Sequence, residues 1–123
     1  MTEKPGAWRK APPELVDRFA AAVAGVDGLE QRQMFGYPAA FMGGNMVTGL
    51  HHDSWIVRLG QDERSSLAEQ GWETFSPMPG RPMREYLALP AAVAADPQAA
   101  RSWVERAAAY GRSLPPKPPR TSR

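Results

Sequence analysis

The chain has 123 residues, of which 42% are hydrophobic, with 13 Pro, 11 Gly, no Cys and a formal net charge of +2. That length suits one domain and not two, and the absence of Cys excludes a disulfide scaffold, a thiolate metal site and a cysteine nucleophile. No stretch approaches the ~20 apolar residues of a membrane helix and the first residues lack the apolar core of a signal peptide, so a soluble cytoplasmic protein is expected.

The charge is unevenly placed. Between Glu14 and Gly111 stand eight Arg and no Lys against twelve Asp and Glu, a net of −4. The cations in excess lie outside, at Lys4, Arg9 and Lys10 and at Arg112, Lys117, Arg120 and Arg123. The high pI of about 9.3 therefore describes the ends of the chain. Residues 1–11 and the Pro-rich residues 112–123 bury too little apolar surface to offset ordering and read as disordered tails, leaving 12–111 as the folded domain.

Pro12 and Pro13 suit a helix entry, and Glu14 and Asp17 place negative charge in its first turn. Leu15, Phe19, Val23 and Val26, with Val16 and Ala20 beside them, recur at helical spacing, which predicts a helix over 14–27 ended by Asp27-Gly28. From Gln31 to Leu59 the pattern becomes short β-like runs separated by turn residues: 32–35, 39–42, 46–50 and 55–59. Their connections, built on Gly36-Tyr37-Pro38, Gly43-Gly44-Asn45 and His51-His52-Asp53, are too short for anything but antiparallel neighbours. Gly36, Pro38, Gly44 and Asn45 are expected to determine these turns. In the last strand Trp55, Val57 and Leu59 share one face, with Ser54, Ile56 and Arg58 on the other.

Residues 61–70 predict a short exposed helix capped by Gly71. Three Pro in Pro77-Met78-Pro79-Gly80-Arg81-Pro82 forbid a helix interior, and Pro79-Gly80 fits the centre of a type II turn that shapes the fold. Arg84 to Leu89 reads as a returning strand. Asp96-Pro97 starts a last helix, with Ala100, Trp103, Val104, Ala107 and Tyr110 on one side and Gly111 at its end; Trp103 is expected to be buried against the sheet. The order α-β(4)-α-β(1–2)-α predicts a two-layer α+β fold with helices on one side of an antiparallel sheet.

Laid out in this order, Gln33-Met34-Phe35-Gly36-Tyr37, Met46-Val47-Thr48-Gly49-Leu50, Ile56-Val57-Arg58-Leu59 and the run from Phe75 to Tyr86 resemble the N-terminal domain of the TfoX/Sxy family of bacterial competence regulators. The resemblance covers roughly residues 14–111. It implies a secretion-chaperone-like fold and a link to transcriptional regulation of DNA uptake, through cooperation with a catabolite-activator protein. It implies no catalytic residue. With no room for the second, helical domain of the competence regulators, the chain resembles a stand-alone short member.

His51-His52-Asp53 is the one histidine cluster. Adjacent residues of a strand point to opposite faces and cannot both reach one ion without a turn; a hairpin turn with Asp53 capping local amides is expected, and no metal or other cofactor is. Arg81, Arg84, Glu85 and Tyr86 form the densest polar group, beside a Pro-constrained loop, and are candidates for contact with a ligand or partner; the same residues also serve as ordinary loop structure. No phosphate loop, dinucleotide fingerprint or GxSxG elbow is present. Two readings follow: a non-enzymatic protein-interaction module, in which a homodimer is also possible, or a small-ligand protein or enzyme built on Arg81, Arg84, Glu85 and Tyr86. Specific nucleic-acid binding by the acidic body is not expected, only weak contact by 112–123.

Overall fold

The computed structural model describes residues 11–34, 36–76 and 83–116. In chain order the elements are α1 (Pro13–Val23), β1 (Leu29–Met34), β2 (Tyr37–Met42), β3 (Asn45–His51), β4 (Ser54–Arg58), α2 (Gln61–Glu69), β5 (Glu73–Thr74), β6 (Tyr86–Ala88), α3 (Ala91–Ala94) and α4 (Pro97–Ser113). The strands form one six-stranded antiparallel sheet in the order β1-β2-β3-β4-β6-β5. The predicted four-strand meander is its larger part, and the chain's return adds both β5 and β6.

The tight turns follow from backbone sterics. Gly43 and Gly44, between the paired Met42 and Asn45, both take positive φ, as does Gly36 before Tyr37. Only glycine enters that region without cost. A register shift between Ala40 and Phe41 introduces a bulge that turns both Val47 and Thr48 toward the helices.

The main core lies between the sheet and the helices. Leu15, Phe19, Ala22 and Val23 of α1 and Ala100, Val104, Ala107 and Ala108 of α4 meet Ala40, Met42, Val47, Leu50, Trp55, Val57 and Leu59. Thr48 is the buried polar residue among them, and it is satisfied: its hydroxyl donates to the Ile56 carbonyl at 2.8 Å and accepts from Trp55 Nε1 at 3.0 Å. The Asp96 carboxylate caps α4 by accepting from the Gln98 and Ala99 amides, as its position before Pro97 predicts.

Three expectations are corrected. First, α1 ends at Val23, because Ala24 is extended and Gly25 takes φ +76°, so Val26 lies in the turn that follows. Second, Gly111 does not end α4, which runs to Ser113; the helix passes so close to the sheet there that a Cβ would lie 2.6 Å from Val47 Cγ1 and 2.9 Å from Met42 Cβ. The glycine serves close approach, not termination.

Third, Trp103 is only half-buried; its ring packs on Trp72, centroids 4.8 Å apart, and under the Arg106 guanidinium. Ala108 and Gly111 occupy the buried stripe that Trp103 and Tyr110 were expected to fill. Past Gly111 the chain stays against the body. Arg112 donates to the Asp27 carbonyl at 2.7 Å, and the Pro115 carbonyl accepts from Asn45 Nδ2 at 3.1 Å. Residues 1–10 and 117–123 lie outside the described residues, as does the turn expected at Pro79-Gly80.

Candidate functional site

The face of the sheet opposite the helices carries its own small apolar cluster of Ile56, Phe75 and Tyr86, with Met46 and Met83 against it. Cross-strand pairing sets Ala39 beside Gly49 and Gly49 beside Ile56. Two such small residues in adjacent strands leave a depression, where a Cβ on Gly49 would touch that of Ala39 at 3.4 Å. Met34, Tyr37, Met46, His51, Phe75 and Met83 rise around it, and the cavity they enclose measures about 170 Å3.

The wall is anchored by backbone bonds. The Phe75 amide donates to the Tyr86 carbonyl at 2.9 Å and the Met83 amide to the Phe75 carbonyl at 2.8 Å. The chain thus leaves the sheet at Phe75 and rejoins it at Met83. The Tyr86 hydroxyl donates across the face to the Met46 carbonyl at 2.7 Å. Burial pushes the Tyr86 phenol up from its ordinary pKa, with Arg58 opposing, so the proton that makes this bond is retained.

Aromatic rings line one end. Tyr37 lies 5.4 Å from His51 and 5.8 Å from His52, and His51 meets the Phe75 ring edge-on at 5.3 Å. The two imidazoles are 4.5 Å apart, because the expected hairpin turn begins between them, after His51 at the end of β3. His52 sits in the turn at φ +55°, and that left-handed residue swings its ring back toward its neighbour. Asp53 is exposed and, among the described residues, makes no capping hydrogen bond. Among the described residues no group of three His, Cys, Asp or Glu is placed to hold a metal.

Burial first, and the charge of His52 second, hold the His51 pKa below 6.5. A depressed imidazole pKa means that the unfolded chain binds its proton more readily than the folded one. The resulting stability is present above pH 6.5 and is lost as pH falls through the folded value. Acid titration of Tm should therefore show a decline beginning below pH 6.5 that is shallower in His51→Gln; identical profiles would contradict the placement of His51 in the wall.

The polar group singled out by sequence is dispersed. Glu85 accepts from Arg58 Nε and Nη2, both at 2.6 Å, and the same guanidinium lies 5.7 Å from the centroid of the Tyr86 ring. Arg84 is exposed, and its carbonyl accepts from Arg64 Nη1 at 2.8 Å while Arg64 Nε donates to the Leu59 carbonyl. Arg81 lies outside the described residues. Glu85 and Tyr86 thus come together on Arg58, without Arg84. Sequence reasoning missed Arg64, which ties β4 to the strand returning at β6, and the cavity residues Ala39, Met46 and Gly49. The alternation that places Ile56 opposite Trp55 and Val57 marked this face of β4, but carried no signal for the pairing of Ala39 with Gly49.

A family model described as the TfoX N-terminal domain matches residues 21–110. The chain belongs to that family. In this TfoX N-terminal domain the match runs from within α1 to Tyr110 near the end of α4, so it takes in the whole sheet and the cavity. The family supports a competence-related regulatory domain in general terms. No curated protein matches the chain. No helix among the described residues is long and apolar enough to cross a membrane.

Proposed function

We propose that this TfoX N-terminal domain is a non-enzymatic protein-interaction module of a regulatory assembly, and that the helix-free face of its sheet receives apolar side chains of a protein partner. The observation that carries this reading is the cavity over Ala39 and Gly49. It is walled by methionines, whose unbranched thioethers adapt to different shapes, and by aromatic rings that supply large contact areas. At about 170 Å3 it is smaller than the roughly 300–1,000 Å3 of a small-molecule site and is matched to one or two side chains. The alternative reading, a ligand held by Arg81, Arg84, Glu85 and Tyr86, is weakened by the engagement of Glu85 with Arg58.

Affinity capture from the native host, read by mass spectrometry, tests the proposal with Ala39→Leu to fill the cavity and Met83→Glu to charge its rim. Proteins of the transcriptional machinery retained by the wild type and lost from both variants are expected, with Tm showing that each variant is folded. Capture unchanged in both variants would remove the cavity from consideration.

Nucleic-acid contact is proposed to be weak, non-specific and confined to the C-terminal cations. Arg112 is engaged with Asp27, leaving Lys117, Arg120 and Arg123 to meet phosphates. At ~0.9 per phosphate, the slope of log K against log salt should be about −2.7. Fluorescence anisotropy at several salt concentrations checks this. Sequence-preferential binding that survives replacement of all three by Ala would reverse the ranking of protein over DNA as partner.

A further inference from the structure

We propose that the outer edge of β1 pairs antiparallel with the same edge of a second copy of the chain, centred on Gln31, so that Glu30 of each copy faces Arg32 of the other. The inference does not depend on the use of the cavity. β1 is an edge strand of six residues, and Glu30, Gln31, Arg32 and Gln33 are all exposed. It has no Lys, no Pro and no bulge against β2, and its two charges, Glu30 and Arg32, are of opposite sign, so they complement a second copy where charges of one sign would repel it. The opposite edge, β5, has only two residues and offers too little backbone for a ladder.

The charges select the register. Glu30 and Arg32 lie on the same, helix-free side of β1, opposite Phe41 and Ala39 of β2. They already attract one another within the strand at 2.8 Å, with side chains 66% and 56% exposed. A two-fold axis at Gln31 places each carboxylate opposite a guanidinium, twice. An axis at Arg32 would oppose two guanidiniums and an axis at Glu30 two carboxylates, both unfavourable for directly opposed residues.

The backbone agrees with that choice. Two residues separate Met34 from its partner Tyr37, and the closing pair of such a hairpin is hydrogen-bonded, so alternate residues Met34, Arg32 and Glu30 direct their backbone groups into the β1–β2 ladder. Gln33, Gln31 and Leu29 direct theirs outward. The Leu29 amide is used by the Val26 carbonyl at 3.1 Å. Gln31 is then free to exchange both bonds with its symmetry mate, and Gln33 to donate to the Leu29 carbonyl of the second copy. The axis stands perpendicular to the sheet, so both helix-free faces, each with its own cavity bordered by Met34, come to lie on one side of a continuous sheet. A single strand pair falls short of the ~1,200 Å2 buried by a standard stable interface. The dimer is therefore concentration-dependent.

Sedimentation velocity of the full chain over a range of concentrations tests the proposal, with the variants E30R, R32E and E30R/R32E. The wild type should dimerise reversibly. Each single variant, which opposes like charges at both symmetric contacts, should associate about tenfold more weakly. An equimolar mixture of E30R and R32E should recover wild-type association as a heterodimer, because every contact is again between opposite charges, and the double variant should recover it as a homodimer. That recovery also shows that the single variants were folded. A wild type that remains monomeric up to ~1 mM, the weak limit of specific association, would overturn the proposal. So would a dimer indifferent to E30R, or single-variant losses restored neither by mixing nor by the double swap.

Discussion

Trp55→Ala is expected to cost ~3–5 kcal/mol of folding stability, the range for truncating a fully buried aromatic side chain. Trp55 is 1% exposed and the largest of the fully buried side chains. Its ring lies 5.5 Å from that of Phe19, joining the sheet to α1, so truncation opens a void where the two layers meet. Trp55→Phe separates the contributions. It keeps a ring against Phe19 and removes the Nε1 donor to Thr48, while the Thr48 hydroxyl retains the Ile56 carbonyl. No buried donor is stranded, so the loss from the missing bond should be ~1 kcal/mol, with the smaller ring adding to it. Urea denaturation followed by far-UV circular dichroism measures both. An alanine variant within 1 kcal/mol of wild type would mean that the indole does not fill the core.

Gly111→Val should destabilise by ~3 kcal/mol, at the upper end of what overpacking a close-packed contact costs. The atoms that a Cβ would meet, Val47 Cγ1 at 2.6 Å and Met42 Cβ at 2.9 Å, belong to two strands, and Met42 Cβ is tied directly to its backbone. Gly111→Ala is the sharper experiment because two effects oppose. Helix propensity alone predicts that alanine stabilises by ~1 kcal/mol, whereas the contact predicts a loss of ~2–3 kcal/mol, for a net loss of ~1–2 kcal/mol. An alanine variant more stable than wild type would show that α4 does not approach the sheet this closely.

The face proposed to bind a partner was only partly legible. Strand alternation separated Ile56 and Arg58 from Trp55 and Val57, because side chains on a strand point alternately up and down. Nothing local said that Ala39 and Gly49 would stand side by side, since that depends on the β2–β3 register and its shift between Ala40 and Phe41. The Arg84-Glu85-Tyr86 run looked convergent because its residues are adjacent in sequence, yet Arg58, 27 positions from Glu85, decides what that carboxylate does.

The sequence by itself determined the α+β class, the antiparallel meander, the Asp96 cap and the family resemblance. The first three rest on short-range physics, namely periodicity, capping, turn-forming glycines and connections too short to cross over; the resemblance rests on the motif segments themselves. Only the tertiary structure decided that α4 continues through Gly111, that Trp103 stays half-exposed, that His51 and His52 face each other, and that Arg112 and Pro115 pack against the body. Each of those outcomes turns on which distant residue arrives within contact distance. A glycine that ends a helix and one that lets a helix touch a sheet are the same letter, and only Val47 and Met42 distinguish them.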